Sequence, residues 1–443
     1  MQASKYNLLL PDNNGKDYLL HNTMYGSTLR FDGNVAVDVE SLLNQPGRLT
    51  NIEGLRETLI REKFLIDESV NELQILQERR RRGIEDSNRY DVVIMQTQDC
   101  NFRCRYCYEK HKPSLMDKET ATAVLGWLES IVPKVKVLYF SFFGGEPLLA
   151  KKSMLALSRQ ISHLCKKSET VLLGNVTTNG YLLDTNTARQ LIANGFDNFQ
   201  ITIDGPPEHH DTLRPLKSGK GSFKQVFQNT LNLLQELKEK SVTLRTNFNG
   251  DNISSVPQLY EMIPGQYRSR IRVSLEPIFR SGEVNADHDL TETEIGEIMT
   301  RIYHGAQSMG FQVPDGTSGV GKLTYCFAER KQQAVVNYNA DVFKCSTCDF
   351  ESRNRVGFIN KEGRFITERK YYDWIEGDFP QGCQQCKFLP LCMGGCRMRY
   401  LNEGKPGNSC GLVPTNASLI LKWIAYKRLE ETGARQCAKA SLT

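Results

Sequence analysis

The hydrophobic and polar positions of residues 88–312 change period repeatedly along the chain, which predicts a repeated strand–helix order. Short apolar runs predict strands, and apolar positions three or four residues apart predict amphipathic helices. The predicted strands lie at 91–96, 136–142, 170–176, 198–203, 242–248 and 271–278. The predicted helices lie at 117–131, 151–166, 184–194, 222–239, 252–262 and 291–308. Six successive units favour a parallel α/β sheet with helices outside and chemistry at the carboxyl ends of its strands.

The segments on either side of this region have other patterns. Residues 1–85 predict a small α+β module, with strands at 6–10, 18–22 and 27–31 followed by helices near 51–62 and 67–82. Residues 313–412 lose the alternation and are rich in cysteine and glycine, and a last helix is predicted near 414–432. We therefore expect four segments along the chain: 1–85, 88–312, 313–412 and 413–443.

Composition narrows the classes of protein that remain. The 443 residues are 40% hydrophobic and 24% charged with a formal net charge of +5, which is ordinary for a globular protein and does not indicate a nucleic-acid partner. No apolar run approaches the roughly 18 residues of a membrane span, and the first residues lack the apolar core of a signal peptide. We expect a cytoplasmic protein without a membrane partner, in a compartment where thiols stay reduced.

Thirteen cysteines in such a chain indicate metal binding rather than disulfides. Cys100, Cys104 and Cys107 follow the first predicted strand with the spacing C-x3-C-x2-C. Three neighbouring thiolates cannot all pair with one another, and a zinc site requires a fourth ligand nearby. The pattern suits a [4Fe–4S] cluster bound at three irons, with the fourth iron open to a small molecule. A zinc knuckle or unrelated core thiols are the alternative interpretation.

This loop, with Tyr106 before its last cysteine, resembles that of the radical S-adenosylmethionine (SAM) enzymes. The resemblance implies that the open iron binds the amino and carboxylate groups of SAM. It implies that electron transfer then cleaves SAM to methionine and a 5′-deoxyadenosyl radical, which abstracts hydrogen from carbon. It also implies a partial (β/α)6 barrel and a reductant of the flavodoxin or ferredoxin type.

Residues at later strand ends are similar to the SAM-binding positions of that family. The run Gly144-Gly145-Glu146-Pro147 ends the second predicted strand, where glycines let the backbone approach a ligand closely. The Glu146 carboxylate could accept hydrogen bonds from an ammonium group, and the resemblance implies that this run holds the SAM amino group. Weaker matches are Asn179, Thr202, Arg214 and Asn247, for each of which a role in a turn, a cap or the surface is the alternative.

Eight further cysteines lie in the C-terminal region: Cys326, Cys345, Cys348, Cys383, Cys386, Cys392, Cys396 and Cys410. Eight thiols are the number that two full [4Fe–4S] clusters require. Their spacing resembles the SPASM domain of radical SAM enzymes that modify peptides, and a zinc site is the alternative. The resemblance implies two auxiliary clusters and three clusters in all. One auxiliary cluster would use Cys383, Cys386, Cys392 and Cys410. The other would use Cys326, Cys345 and Cys396, and Cys348 either completes it or leaves one iron open.

The predicted module at 1–85 is compatible with a small winged-helix-like fold and resembles the precursor-peptide recognition elements of ribosomal peptide (RiPP) maturases. Such elements take a leader peptide as an added strand at an open sheet edge. An extension that only packs on the rest of the chain is the alternative. The leading hypothesis is a peptide maturase that abstracts hydrogen from a side-chain or alpha carbon and forms a carbon–carbon, ether or thioether crosslink.

Two other functions remain open. An anaerobic sulfatase-maturing enzyme, which oxidises Ser or Cys to formylglycine, is similar in its barrel and auxiliary motifs. Resemblance to those enzymes implies an Asp base directly after Cys345. This chain has Ser346 at that position, although Asp349 follows Cys348. A non-catalytic Fe–S electron carrier or sensor would ligate every iron with cysteine, which the three-cysteine loop does not do. The general base is unassigned, with Glu276, Tyr303 and Asp349 as unranked candidates.

Overall fold

The computed structural model describes residues 1–12, 16–278, 292–314 and 321–403. Cys410 and the helix predicted near 414–432 lie outside the described residues. The described chain divides into two compact units. The first comprises 1–84, 321–326 and 377–403, and the second comprises 85–278, 292–314 and 327–376. No described helix combines the length and the apolar character that a membrane span requires.

The N-terminal part of the first unit combines short antiparallel strands with three helices. Its strands are β1 (Gln2–Ala3), β2 (Asn7–Pro11), β3 (Asp17–Asn22), β4 (Thr28–Asp32) and β5 (Leu65–Ile66). Its helices are α1 (Gly33–Asn44), α2 (Leu55–Arg61) and α3 (Glu72–Glu85). Strands β2, β3 and β4 form one sheet in that order, and β1 pairs with β5. The three predicted strands and the two predicted helices are therefore present.

Helix α1 was not predicted from the sequence. The run Asp32-Gly33-Asn34 has residue types that are typical of a turn, and Asp32 is the N-cap of this helix. Its carboxylate accepts hydrogen bonds from the N–H groups of Asn34 (2.9 Å) and Val35 (3.1 Å), as preferred N-cap residues do. The β-branched residues at the start of the helix hid its period, although Ala36, Val39 and Leu42 form a buried stripe.

The second unit is built on a mostly parallel sheet. Its first six strands are β6 (Arg89–Met95), β7 (Val137–Phe143), β8 (Val171–Thr178), β9 (Phe196–Thr202), β10 (Val242–Phe248) and β11 (Ile271–Pro277). The intervening helices are α4 (Lys118–Ile131), α5 (Lys151–Lys167), α6 (Thr185–Ala193), α7 (Pro207–Leu213), α8 (Phe223–Glu236), α9 (Val256–Met262) and α10 (Gly265–Arg268), and α11 (Glu292–Ser308) follows β11. Each strand pairs in parallel with its sequence neighbour. The six predicted strand–helix units are confirmed.

Four later strands extend the same sheet beyond β6. They are β12 (Gln333–Val336), β13 (Asp341–Phe343), β14 (Gly357–Ile359) and β15 (Phe365–Thr367), followed by helix α12 (Arg369–Ile375). Strand β12 pairs in parallel with β6, whereas β13, β14 and β15 continue antiparallel. The segment predicted at 313–412 is therefore divided between the two units, with 327–376 in the second.

The chain then returns to the first unit, where α13 (Leu389–Cys392) and α14 (Arg397–Glu403) lie. Buried side chains from both ends of the chain form one cluster there: Tyr6, Met24, Leu76, Phe379, Leu389 and Met393. Burial of such side chains stabilises the contact by roughly 1.5–3 kcal/mol for each large apolar group. Residues of the N-terminal module and of the 379–393 segment thus form a common core.

Candidate active site

The carboxyl ends of strands β6 to β10 meet at one edge of the sheet, and the predicted SAM-binding residues gather there. Cys100, Cys104 and Cys107 follow β6, the Gly144–Pro147 run follows β7, Asn179 follows β8, Thr202 ends β9, and Asn247 lies in β10. Loops at this edge are where open parallel sheets bind ligands. The topology therefore places residues from five strands around one site.

The cysteine loop carries three thiols, none of which forms a disulfide. The N–H of Phe102 lies 3.4 Å from the Cys100 sulfur, and the N–H of Glu109 hydrogen-bonds the Cys107 sulfur. The N–H of Cys107 donates to the carbonyl of Cys104 at 3.2 Å, which closes a tight turn between the last two cysteines. Backbone donors aimed at sulfur favour the thiolate form.

Burial raises the pKa of Cys100 to about 12, that of Cys107 to about 11, and that of Cys104 above its usual range. A bound metal centre is the partner that deprotonates coordinating thiols in such surroundings. No three His, Cys, Asp or Glu side chains of the described chain converge on a single ion. A [4Fe–4S] cluster binds one cysteine at each iron, so its ligands need not converge on one atom. The donor set fits a cluster held at three irons.

The glycines after β7 bring the backbone against the cysteine loop. Gly144 has a φ of +123°, which side chains rarely tolerate. A Cβ atom on Gly145 would lie 2.2 Å from the carbonyl oxygen of Asp99, and the N–H of Glu146 donates to that same oxygen at 2.9 Å. Only a residue without a side chain permits this approach next to Cys100.

The Glu146 carboxylate is fully buried and is bound by donors of the protein itself. Its Oε1 accepts from the N–H of Leu148 (3.0 Å) and from Oγ1 of Thr178 (2.7 Å), and its Oε2 accepts from the N–H of Asn179 (2.8 Å). Burial raises the pKa of Glu146, although these bonds favour the charged form. The Glu146 side chain therefore joins the ends of β7 and β8. The backbone of Gly144 and Gly145 is the part of the Gly144–Pro147 run that lies against the cysteine loop.

Asn179, whose N–H binds Glu146, also contacts the cysteine loop. Its Nδ2 donates to Oδ1 of Asn101 at 2.8 Å and lies 3.8 Å from the Cys100 sulfur. Its own Oδ1 accepts from the N–H of Tyr181 at 3.0 Å, which fixes the amide orientation. Thr202 is buried at the end of β9.

Tyr106, Arg214 and Asn247 form one network, as the sequence placed them on one site, and the network includes an aspartate that sequence reasoning missed. The Tyr106 hydroxyl donates to Oδ2 of Asp204 in a short hydrogen bond. That hydroxyl accepts from Arg214 at 2.6 Å and from Nδ2 of Asn247 at 3.0 Å. The N–H of Asn247 donates to the other Asp204 oxygen at 2.8 Å. The position of Asp204 directly after β9 was the available signal.

Arg214 is a buried cation beside the cysteine loop. Its guanidinium lies 3.8 Å from the Asp204 carboxylate and stacks on Phe102, with 5.5 Å to the ring centroid. Burial alone would lower its pKa, but the negative groups of Cys104, Tyr106 and Asp204 hold the pKa of Arg214 above its usual range. Its Nε is buried without a hydrogen-bond partner. A fixed positive charge with a spare donor suits an anionic ligand group.

Cys345 and Cys348 lie in the second unit, just after β13. The N–H of Thr347 lies 3.4 Å from the Cys345 sulfur, and the Cys348 thiol donates to the Cys345 carbonyl at 3.2 Å. The hydroxyl of Tyr108 donates to the carbonyl of Ser346 at 3.1 Å. This bond joins the residue after Cys107 to the turn between the two later cysteines.

Five of the described C-terminal cysteines lie in the first unit: Cys326, Cys383, Cys386, Cys392 and Cys396. The N–H of Cys386 donates to the Cys383 carbonyl at 3.0 Å, a tight turn of the kind that presents two sulfurs on one side. Burial, together with charge on Cys396, Cys392 and Cys326, raises the pKa of Tyr325 to about 12. Those three cysteines therefore lie near a common neighbour. The thiol-rich donor set fits an Fe–S cluster.

The three candidate general bases differ in their surroundings. Glu276 accepts from Ser274 Oγ at 3.2 Å. Tyr303 accepts from the N–H of Leu275 at 3.0 Å, and burial raises its pKa to about 12. Asp349 is bound by Arg353 and by Nδ2 of Asn354 at 2.6 Å.

Glu109, a carboxyl group that the sequence analysis did not identify, lies beside Cys348 and Asp349. Glu109 lines a cavity of about 160 Å³ together with Tyr108, Lys110, Cys348 and Asp349. Its Oε2 is buried without a hydrogen-bond partner, and burial raises its pKa to about 8. The only signal in the sequence was its place two residues after Cys107.

Comparison with known proteins agrees with this geometry. Residues 94–263 match the family described as the Radical SAM superfamily. The chain is 22% identical over 357 residues to the serine-type anaerobic sulfatase-maturating enzyme of Bacteroides thetaiotaomicron, covering 70% of this chain and 83% of that protein. It is 24% identical over 383 residues to the radical SAM cyclopropyl synthase TigE of Paramaledivibacter caminithermalis, covering 75% and 74%.

Solved structures show the same fold. Native anSMEcpe with bound AdoMet and Cp18Cys peptide superimposes with a TM-score of 0.60 at 19% identity, covering 79% of this chain and all of that one. SuiB from Streptococcus suis superimposes with a TM-score of 0.53 at 13% identity, covering 93% of this chain and all of that one. Residues 94–263 thus carry a radical SAM domain.

We predict that Gly145→Ala displaces the cysteine loop. The new methyl group would meet the Asp99 carbonyl at 2.2 Å, and overpacking of this kind costs about 1–3 kcal/mol. Iron content after anaerobic reconstitution is expected to fall. Gly305→Ala is the control, because no atom lies within 4 Å of its added Cβ. Equal iron content in the two variants would contradict the role assigned to Gly145.

We also predict that Arg214→Met is strongly destabilising, because it leaves the buried Asp204 carboxylate uncompensated. Breaking a buried ion pair from one side costs about 3–5 kcal/mol. Adding Asp204→Asn to the same chain should recover a large part of the loss. Lys240→Met, which breaks an exposed pair with Asp197, should cost less than about 1 kcal/mol. Urea unfolding followed by circular dichroism measures these three variants and Asp204→Asn alone, and strictly additive effects of the two buried changes would argue against the network.

Proposed function

We propose that this chain is a radical SAM maturase that oxidises a precursor peptide by forming a crosslink within it. The observation that carries the proposal is the cysteine loop after β6, held against Gly144 and Gly145 in a chain whose residues 94–263 match the radical SAM family. Its cofactors are SAM, a [4Fe–4S] cluster on Cys100, Cys104 and Cys107, and two auxiliary clusters on the C-terminal cysteines. When bound and reduced by a flavodoxin- or ferredoxin-type protein, the first cluster supplies the electron that cleaves SAM.

The residues of the chain bind and orient the ligand. The Gly144–Gly145 backbone and Asn179 border the cysteine loop and form one wall of the SAM site. Arg214, held by Tyr106 and Asp204, offers a fixed positive charge to the SAM carboxylate. Thr202 and Asn247 close the site from β9 and β10. This positioning matters because hydrogen transfer requires donor and acceptor carbons near contact distance.

A peptide substrate is supported by what similar proteins do. Sulfatase-maturating enzymes, the cyclopropyl synthase TigE and the mycofactocin maturase MftC are among the relatives. SuiB bound to precursor peptide SuiA has the same fold, with 93% of this chain covered. In the N-terminal sheet, β2 and β4 each pair only with β3 among the described strands. An open strand edge is where a leader peptide can add through main-chain hydrogen bonds.

Oxidation of a serine or cysteine to formylglycine is the second candidate. It is favoured by relatives that are serine-type and cysteine-type sulfatase-maturating enzymes. The residue after Cys345 is Ser346, whose carbonyl accepts from Tyr108, and it supplies no carboxylate at the position where that activity is expected to have its base. Asp349 is engaged by Arg353 and Asn354. The local chemistry around Cys345 therefore argues against formylglycine formation.

Cleavage of SAM tests the division of roles among the cysteines. We expect Cys104→Ala to abolish 5′-deoxyadenosine formation by anaerobic protein reduced with dithionite. Cys383→Ala should retain uncoupled cleavage without peptide product, because Cys383 lies outside the three-cysteine loop. Cys165→Ala, a buried lone cysteine in α5, should behave as the unmodified chain. Indistinguishable behaviour of the Cys104 and Cys383 variants would overturn the division.

The product distinguishes the two candidate reactions. Short peptides encoded beside the gene and a serine- or cysteine-containing sulfatase peptide are each incubated with the reduced enzyme and SAM. A crosslink is expected as a loss of two hydrogen atoms in a peptide that does not react with hydroxylamine-type carbonyl reagents. A carbonyl-reactive product from the sulfatase peptide alone would instead establish formylglycine formation.

A further inference from the structure

The turn that carries Cys383 and Cys386 packs directly on N-terminal residues of the same unit. Tyr6, Met24 and Leu76 form a buried cluster with residues of the 379–393 segment, and Cys383 packs against that cluster. These side chains come from opposite ends of the sequence, yet they share one core. The N-terminal residues are therefore part of the surroundings of the cysteine turn.

Thr23 makes the most direct polar contact with this turn. It is completely buried, and its Oγ1 donates to the carbonyl of Lys387 at 2.7 Å. Lys387 immediately follows Cys386 in the chain. The N–H of Thr23 donates to the carbonyl of Tyr6 at 3.1 Å, which anchors the threonine itself. Such a buried bond fixes the backbone that leads out of Cys386.

Arg80 contacts residues 377–379, which precede the Cys383–Cys386 turn in the chain. It is buried within α3 although it belongs to a run of four arginines. Its guanidinium donates to the carbonyl of Gly377 at 2.8 Å and lies over the ring of Phe379, 5.4 Å from the centroid. Gln77, one turn earlier on α3, donates to Asp378 at 2.5 Å. One helix therefore fixes residues 377–379 through three side-chain contacts.

We propose that the N-terminal module positions the Cys383–Cys386 turn for its auxiliary cluster, with Thr23 and Arg80 as positioning residues. The inference rests on the proposed function, because it requires that these cysteines bind a cluster. Groups that orient metal ligands without touching the metal contribute strongly to affinity and to redox potential. Here Thr23 and Arg80 fix the two ends of the segment that presents both sulfurs. A peptide docked on β2–β4 would share this unit with the cluster.

The test uses a chain in which Cys100, Cys104 and Cys107 are all alanine, so that the remaining iron reports on the auxiliary cysteines alone. In this background Thr23→Val and Arg80→Met are compared after anaerobic reconstitution. Loss of an outer-shell contact typically costs about 10–100-fold in metal affinity, so we expect iron to leave about tenfold faster in a chelator. The EPR spectrum of the reduced auxiliary clusters should also change.

Three controls separate positioning from a general loss of folding. Thr23→Ser keeps the hydroxyl donor and should restore iron retention and the EPR spectrum. Arg82→Met removes an exposed arginine of the same helix and should change neither. Circular dichroism identifies a variant that fails to fold, and Arg80→Lys then provides a milder change at the second contact.

The outcomes distinguish this inference from the proposed function. Absence of iron from the triple-alanine background would overturn both, because no auxiliary cluster would exist. Iron in that background, with unchanged retention and an unchanged spectrum in Thr23→Val and Arg80→Met, would overturn only the positioning role. Faster iron loss that Thr23→Ser reverses supports it.

Discussion

The buried carboxylate of Glu146 is the contact on which the arrangement of the active site depends. A charged group without exposure is costly unless donors surround it, and here the donors come from Leu148, Thr178 and Asn179. They hold the ends of β7 and β8 together. Asn179 then reaches the cysteine loop at Asn101 and Cys100. The position of Cys100, a proposed cluster ligand, thus depends on the hydrogen bonds of one buried carboxylate.

On the other side of the site, a buried positive charge, that of Arg214, is likewise held by polar partners of the protein. Arg214 is buried and is compensated by Asp204 and Tyr106, so its guanidinium is fixed before any ligand arrives. A preorganised charge in a poorly hydrated site interacts more strongly with a ligand than an exposed charge does. Both walls are built from buried ionisable groups whose partners come from neighbouring strands.

The parallel strands, the cysteine loop and the residues at the strand ends were predictable because their signals are local in the sequence. Tyr106, Arg214 and Asn247 were assigned to one site by resemblance to the radical SAM enzymes, and the structure joins their side chains in one network. Helix α1 could not be predicted, since the residues at its start, Asp32-Gly33-Asn34, are also typical of a turn. Asp204 and Glu109 were missed because their significance lies in burial, which a single sequence does not display. The pairing of β12 with β6 joins segments too distant in sequence to be recognised.

That last pairing has a consequence during synthesis. Strand β6 begins at Arg89, but its neighbour β12 begins only at Gln333. The edge of β6 that pairs with β12 therefore lacks its hydrogen-bonding partner until residues 333–336 have been synthesised. Exposed strand edges of this kind invite intermolecular pairing, and distant contacts form slowly. The nascent chain therefore carries an unpaired β6 edge until β12 has been synthesised.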